Sequence, residues 1–233
     1  MSFYKNINKK IYYNLKTFFK KKFFKFYGLK DIDKKMLKYL DFDNGYFIEI
    51  GAHDGVNNSN TLHYEKYKKW KGILIEPSFS YAHLKKNRSK INKFFNCGCI
   101  EFNGIKETTL LNSGDYSICK NIVNAEYFSW HSNKQFLANK EMIETKIKLR
   151  TLNSILIESN SPNLIDFFSL DVEGMEINVL KGVDFKIFNF KYLLIECSNK
   201  EKFEEILKFL TLKEYNYIEN LSGWDYLFKY KHS

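Results

Sequence analysis

The chain has 233 residues, of which 44% are hydrophobic and 27% are charged, and its formal net charge is +10. This length and composition fit one globular domain with a substantial core and exclude a chain that is disordered throughout. No stretch approaches the roughly 20 apolar residues that cross a bilayer, and the N-terminus lacks the apolar core of a secretory signal, so we expect a cytoplasmic protein.

The positive charge is concentrated at the N-terminus. Residues 1–30 contain nine lysines and no acidic residue, so the rest of the chain carries only +1. Ile7, Ile11, Leu15 and Phe18 recur at helical spacing within this aromatic segment, which predicts a helical extension. Three roles are open for it: packing on the following domain, peripheral contact with an anionic membrane, and nucleic-acid binding. We favour nucleic acid least, because the charge sits at one end of the chain and is not spread over a binding face.

Residues 31–233 are predicted to form one domain in which short apolar runs alternate with helices. The apolar runs are residues 46–50, 72–75, 94–96, 165–170 and 192–195, and helical patterns cover residues 33–40, 59–69 and 81–88. This alternation predicts an α/β fold with a mostly parallel, Rossmann-like sheet and helices on both faces. The tail, at residues 215–219 and 225–230, predicts a closing antiparallel hairpin.

An insert is predicted at about residues 100–150. Roughly 70 residues separate the third and fourth apolar runs, too many for a simple helical crossover. Within this interval Ile143, Thr145, Ile147 and Leu149 alternate with charged residues, as in an exposed strand. We expect additional β structure here and a loop over the site that contributes to binding an acceptor molecule.

A glycine-containing turn follows the first apolar run. It covers residues 51–55 and includes Gly51, Asp54 and Gly55, and Glu49 lies near the end of the run before it. The glycines allow a sharp turn and close approach to a ligand, and Asp54 can offset positive charge on a cofactor. A dinucleotide site would need the spacing G-x-G-x-x-G, and an acidic residue in the turn would repel phosphates. The turn therefore favours a cationic cofactor, and we place Glu49 among the residues that bind it.

Polar side chains also end the next three apolar runs. Glu76 follows the second run, where its two carboxylate oxygens can accept hydrogen bonds from both hydroxyls of a ribose. Asn96 follows the third run and is placed to contact an adenine edge. Asp171 and Glu173 follow the fourth run, so they should lie at the same edge of the sheet.

Histidines and cysteines add weaker signals. His53 lies in the glycine turn and is a candidate contact to cofactor or substrate, whereas His63 lies on a predicted helix and is expected to pack. His131 lies in the predicted insert and is a candidate base. The four scattered cysteines lack the spacing of a zinc site or a disulfide framework, which predicts reduced, buried thiols.

Six motifs occur in order between about residues 44 and 200. They are Glu-Ile-Gly-Ala-His-Asp-Gly at 49–55, Ser-Asn-Thr at 59–61, Trp-Lys-Gly-Ile-Leu-Ile-Glu-Pro at 70–77, Leu-Arg-Thr-Leu-Asn-Ser at 149–154, Ile-Asp-Phe-Phe-Ser-Leu-Asp-Val-Glu-Gly at 165–174 and Met-Glu-Ile-Asn-Val-Leu-Lys-Gly at 175–182. Together they resemble the FkbM-type methyltransferases. The resemblance implies a class I methyltransferase fold, S-adenosylmethionine (SAM) as cofactor, and methylation of a hydroxyl, commonly on a sugar or polyketide-like product.

Removal of the hydroxyl proton needs a catalytic group. Asp171 and Glu173 are the predicted catalytic residues, either as a base or as ligands of a divalent cation such as magnesium, and Asp171 is also a candidate cofactor contact. The expected acceptor is a small molecule or glycan. Two alternatives stay open: a non-catalytic SAM-binding scaffold in a glycan-assembly complex and, third, an RNA methyltransferase. The intact Asp171-Val172-Glu173 sequence disfavours the scaffold, and the near-neutral charge beyond residue 30 disfavours RNA.

Overall fold

A computed structural model describes residues 15–102, 104, 106–112, 117–120 and 143–233 of the chain. Its strands are β1 (Tyr46–Ile50), β2 (Lys71–Ile75), β3 (Lys93–Phe95), β4 (Gly98–Cys99), β5 (Glu107–Asn112), β6 (Ser117–Cys119), β7 (Ile143–Arg150), β8 (Leu164–Leu170), β9 (Asn189–Glu196), β10 (Tyr215–Asn220) and β11 (Asp225–Tyr230). Its helices are α1 (Ile32–Lys35), α2 (Leu37–Leu40), α3 (Leu62–Tyr67), α4 (Tyr81–Asn87), α5 (Leu152–Glu158), α6 (Glu176–Lys181) and α7 (Lys200–Leu212), with a 3-10 turn at Leu29–Asp31.

A seven-stranded sheet forms the centre of the molecule, in the order β10-β11-β9-β8-β1-β2-β3. Strands β3, β2, β1, β8 and β9 are parallel neighbours, and β11 and β10 continue the sheet antiparallel as a hairpin. The predicted fold class, a mostly parallel Rossmann-like sheet with a C-terminal antiparallel hairpin, is confirmed. All the carboxyl ends of the parallel strands therefore meet at one edge, which is where ligands bind in such sheets.

The central strands are apolar on both faces because helices cover both. Side chains alternate along a strand, so Phe47 and Phe167 pack in a core on one face of the sheet. Ile48 and Phe168, the next residue in each strand, belong to a larger core on the other face. Parallel sheets covered on both sides have this near-continuous hydrophobic pattern, in agreement with the apolar runs in the sequence.

A second, four-stranded sheet lies within the predicted insert, in the order β4-β7-β5-β6. Strand β7 pairs antiparallel with β5 and parallel with β4. Its alternating pattern is confirmed, because Ile147 and Leu149 are buried and Lys146 and Lys148 are exposed. Residues 121–142, where a loop over the site is expected, lie outside the described residues.

Part of the N-terminal segment is helical. Residues 15–23 form a helix, here called the N-terminal helix, and residues 1–14 lie outside the described part of the chain. The helix is joined to the domain through Thr17 and through Tyr27, which is buried and whose backbone N–H donates to Asp33 at 2.6 Å. None of the helices within the described residues has the length and apolar character needed to cross a bilayer.

Candidate functional site

A cavity opens at the carboxyl edge of the parallel strands. The ends of β1, β2 and β8 form one side of it, and β4, β5 and β6 of the smaller sheet form the other. Of the residues predicted to bind cofactor or to act in catalysis, Gly51, Glu76, Asp171 and Glu173 line this cavity together. His53, the histidine of the glycine turn, lines it too.

The glycine turn after β1 rests on the ends of both neighbouring strands. The backbone N–H groups of Gly51 and Ala52 each donate to the carbonyl oxygen of Ile75 at 3.1 Å. On the other side, the N–H of Asp171 donates to the carbonyl oxygen of Ile50 at 3.2 Å. Gly51 has a φ of +82°, a left-handed conformation that glycine adopts without steric cost. The turn thus brings bare backbone to the cavity.

Glu76 is held in place by the backbone. Its Oε2 accepts a hydrogen bond from the N–H of His53 at 2.7 Å, and its Oε1 accepts one from the N–H of Ser78 at 2.8 Å. The side chain is buried, yet each carboxylate oxygen can accept a further hydrogen bond. This arrangement presents two fixed acceptors to a ligand, as recognition of a vicinal diol requires.

Asn96 lies beside Glu76 but does not line the cavity. Its side-chain amide donates to the backbone oxygen of Glu76 at 2.8 Å. The side chain therefore fixes the end of β2 from the neighbouring strand. The predicted contact of Asn96 with an adenine edge stays a prediction.

Three carboxylates meet at the ends of β8 and β9. One oxygen each of Asp171, Glu173 and Glu196 lie within 4.8 Å of one another. Asp171 is exposed to the cavity. Partial desolvation by the surrounding protein atoms, followed by the negative charges of Glu196 and Glu173, raises the pKa of Asp171 above its usual value. Such a cluster can hold a proton or supply oxygen ligands to a divalent cation.

Glu173 owes its position to an unusual backbone. Its φ is +51°, uncommon for a residue with a side chain, and Gly174 follows at +99°. Two contacts hold the turn, because the N–H of Gly174 donates to Glu176 at 2.8 Å and the Lys202 ammonium donates to the Gly174 carbonyl at 3.1 Å. Left-handed residues of this kind concentrate at functional sites, where the surroundings enforce them.

Asp54 and Gly55 stabilise the glycine turn from behind the cavity. The carboxylate of Asp54 accepts hydrogen bonds from the N–H groups of Val56 at 2.9 Å and Asn57 at 2.8 Å. Burial alone would raise the pKa of Asp54, but hydrogen bonds from His53 and from these backbone groups hold it well below its usual range. Asp54 is therefore an ionised group that is satisfied within the protein, and neither it nor Gly55 lines the cavity.

Glu49 also lies away from the cavity, in a buried ion-pair network. Its Oε2 is 3.1 Å from the guanidinium of Arg88, which is itself 2.7 Å from Glu65. The hydroxyl groups of Ser59 and Thr61 donate to Glu49 at 3.0 and 2.6 Å. Because these two residues turn back toward β1, α3 begins at Leu62, three residues later than the sequence pattern indicates.

Two residues of this region carried no predicted role. Glu196 ends β9 beside Asp171, and the apolar run at 192–195 followed by an acidic residue is a signal that identifies it. Arg88 ends α4 and offers no comparable signal, because surface helices commonly end in basic residues. His131 lies outside the described residues. The four cysteines are free thiols, and Cys97 and Cys99 line the cavity.

The chain is similar to several solved methyltransferases. It matches the methyltransferase FkbM from Methylobacillus flagellatus KT at 16% identity and a TM-score of 0.47, over 83% of this chain and 45% of that chain. It matches the precorrin-6y C5,15-methyltransferase from Geobacter metallireducens GS-15 at 10% identity and a TM-score of 0.43, over 85% of each chain. The chain thus spans less than half the length of the first of these proteins. Among curated proteins, no significant match was found.

A family comparison covers most of the chain. The profile of the methyltransferase FkbM domain matches residues 49–219, which include the end of β1, all of β2, β8 and β9, and every described residue that lines the cavity. All six sequence motifs fall within the matched residues. The chain belongs to the FkbM methyltransferase family.

Proposed function

We propose that this protein is a SAM-dependent O-methyltransferase that methylates a hydroxyl of a sugar or glycan. The observation that carries the proposal is that Glu76 and Asp171 line one cavity. Glu76 supplies fixed acceptors for a diol, and Asp171 supplies a carboxylate whose pKa is raised. Glu76 would bind the ribose of the cofactor, and Asp171 would take the hydroxyl proton of the acceptor. Methyl transfer requires both groups in the same cavity.

The described residues fit SAM in two respects. Glu76 can accept both ribose hydroxyls without reorganisation, because two backbone N–H groups already hold its carboxylate. Gly51 brings the backbone to the cavity wall without a side chain. When bound, SAM supplies an activated methyl group, so the protein's main task is alignment.

Asp171 is the group that we assign to proton removal. A base is most effective when its pKa lies near the working pH, and the neighbouring carboxylates raise the pKa of Asp171 in that direction. Glu196 and Glu173 help to hold the proton that Asp171 receives, because a proton taken up by this cluster reduces the repulsion between its negative charges. A positioned base typically contributes about 10²- to 10⁴-fold to the rate.

A divalent cation is a second way to use the same carboxylates. Asp171, Glu173 and Glu196 offer oxygen ligands of the kind that magnesium prefers, and a bound cation would lower the pKa of the acceptor hydroxyl. The two roles differ in a simple test. If the cluster acts as a base, transfer proceeds unchanged in excess chelator, whereas a cation role requires that chelation abolish transfer and that magnesium restore it.

The test of the proposed function is transfer of a labelled methyl group from SAM to a panel of methyl glycosides, with products checked as alkali-stable ethers. Asp171→Asn should lower the transfer rate by about 10²- to 10⁴-fold while SAM affinity changes less than about fivefold. Asp43→Asn is the matched control, since Asp43 is exposed and precedes β1 at the opposite end of the sheet.

Other results would favour the alternatives. SAM binding without transfer to any glycoside, glycan or RNA would support the non-catalytic scaffold. Transfer to RNA but not to sugars would support the RNA methyltransferase. Equal transfer rates for Asp171→Asn and Asp43→Asn would remove Asp171 from the mechanism.

A further inference from the structure

One face of the N-terminal helix is fixed against the domain. Thr17 is buried, and its hydroxyl donates to Asp54 at 3.3 Å and accepts from the side-chain amide of Asn57 at 3.1 Å. One turn further, the Lys20 ammonium donates to the carbonyl oxygen of Tyr27 at 3.1 Å. These contacts set the rotation of the helix about its axis, so the opposite face is held outward.

The outward face is strongly apolar. Five large side chains within ten residues are between 52% and 65% exposed: Leu15, Phe18, Phe19, Phe23 and Phe24. Three of them form a cluster, since the rings of Phe18 and Phe19 lie 6.0 Å apart and those of Phe19 and Phe23 lie 5.8 Å apart. Single exposed apolar residues are ordinary, but a contiguous exposed group such as this marks an interaction surface.

Lysines surround these aromatic side chains. The ammonium of Lys22 lies 5.8 Å from the ring of Phe18 and 5.5 Å from that of Phe23, and Lys16 and Lys25 are exposed nearby. No acidic residue occurs among residues 1–30. The surface therefore combines apolar area with unopposed positive charge.

A basic cleft lies beside the helix. It separates the N-terminal helix from α4. Four lysines line it, and no acidic side chain is among its described lining residues: Lys21, Lys22, Lys66 and Lys86. The ammonium groups of Lys21 and Lys66 also donate to protein oxygen atoms. Because Phe18 and Lys22 belong to both the cleft and the outward face, the cleft adds positive charge beside the exposed phenylalanines.

We propose that the N-terminal helix, together with Phe24 and Lys25 directly after it, docks the protein on the surface of an anionic lipid bilayer. A helix with phenylalanine and leucine exposed between lysines lies in the interface plane, where its apolar side chains enter the acyl boundary and its lysines meet lipid phosphates. Single-stranded nucleic acid would instead need aromatic ring faces that are free to stack on bases, whereas the rings of Phe19 and Phe23 stack on each other. The phenylalanines here stand on the outward face of a helix and pack on each other, an arrangement that fits a bilayer.

The experiment is co-sedimentation of the full chain with vesicles of phosphatidylcholine alone and with 30% phosphatidylserine, a composition on the order of anionic cell membranes. We expect binding only to the anionic vesicles and release by high salt. The variant Phe18→Ser/Phe19→Ser/Phe23→Ser should bind at least tenfold more weakly. Replacement of Lys16, Lys22 and Lys25 by glutamine should weaken binding by roughly fivefold for each lysine.

A matched control replaces apolar residues that are equally exposed elsewhere, Ile91→Ser/Leu212→Ser, and should bind vesicles as the wild type does. Thermal melting and SAM titration verify that the variants fold. Equal binding to neutral and anionic vesicles, or no binding to either, would overturn the proposal. Binding to single-stranded RNA with a steep salt dependence, without binding to vesicles, would replace the bilayer by nucleic acid.

Discussion

A Cβ atom added to Gly51 would lie 1.9 Å from the backbone oxygen of Asp171. These two residues directly follow the neighbouring central strands β1 and β8, so the glycine turn and the end of β8 touch through their backbones. Because the contact involves main-chain atoms, no side-chain rotation can make room for a larger residue. The geometry of the glycine turn and the position of Asp171 are therefore coupled.

The first prediction concerns Gly51→Ala. The added methyl group must displace the end of β8, and the positive φ adds roughly 1–2 kcal/mol of strain. We expect a loss of at least about 3 kcal/mol in the free energy of unfolding. If the variant still folds, the folded protein should bind SAM at least about tenfold more weakly. Urea unfolding and calorimetry measure the two quantities.

Gly223→Ala is the control for this prediction. Gly223 also has a positive φ, +102°, but the space around it is open, with the nearest atom 4.0 Å away. This variant should lose only the roughly 1–2 kcal/mol that the backbone conformation costs. Equal losses in the two variants would mean that the contact between Gly51 and Asp171 has no energetic consequence.

The second prediction separates Glu49 from the cofactor. Arg88→Met leaves the buried Glu49 and Glu65 without their cation, and removing one partner of a buried ion pair typically costs about 3–5 kcal/mol. Lys200→Met, in an exposed pair with Glu204, should cost less than about 1 kcal/mol. Glu49→Gln should likewise lower stability and leave SAM affinity within about threefold of the wild type. A large loss of SAM affinity with unchanged stability would instead show that Glu49 contributes to cofactor binding.

The third prediction is a pH dependence of stability that arises from Asp33. Burial raises the pKa of Asp33 from 3.8 to about 6, against the hydrogen bonds from Tyr27 and Gly28 that lower it. Because the folded-state pKa is the higher one, this group's stabilising contribution is complete below about pH 4 and is lost as the pH rises through 6. The loss should amount to about 1–3 kcal/mol.

Unfolding of Asp33→Asn by urea at several pH values measures this contribution. Because the wild type loses stability over this range, the variant's free energy of unfolding minus that of the wild type should increase by about 1–3 kcal/mol between pH 4 and pH 7.5. For the exposed Asp43→Asn, the same difference should change by less than about 0.5 kcal/mol. A pH-independent difference for Asp33→Asn would contradict the assignment.

The fourth prediction links Glu196 to the reactivity of Asp171. Burial, followed by the charge of Glu196, raises the pKa of Asp171, so Glu196→Gln should lower that pKa. If ionised Asp171 removes the acceptor's proton, the acid limb of kcat/KM against pH should move to lower pH in this variant. Glu205→Gln, on the exposed face of α7, should leave the limb in place. A shift to higher pH, or none, would rule out Asp171 as the titrating base.

Much of the fold was predictable from local sequence patterns. The apolar runs at 46–50 and 165–170 correspond to β1 and β8 within one residue, since a strand covered on both faces must be apolar throughout. The direction of a side chain within a strand was harder to use. Glu49 belongs to the same motif as Gly51, but it lies within β1, one residue before Ile50. Its side chain therefore points to the face of the sheet opposite to that of Ile50, toward Arg88.

The site was predictable only in part, for a physical reason. Glu76 and Asp171 were predicted at the same edge because parallel strands end together, and both line the cavity. The ionic partners of Glu49 depend on how the helices pack against the sheet. Residues distant in sequence create those contacts, so no local pattern encodes them. Glu196 does carry a local signal, since it directly follows the apolar run at 192–195.

The most direct test of the central claim is calorimetric titration of SAM into the wild-type protein, Glu76→Ala and the control Glu205→Gln. We predict micromolar affinity for the wild type and the control. In Glu76→Ala the ribose hydroxyls lose their acceptors, which should cost about 1–3 kcal/mol, or roughly 5- to 150-fold in affinity. Unchanged affinity in Glu76→Ala would contradict the placement of the cofactor, and absence of binding to the wild-type protein would contradict the SAM-dependent function itself.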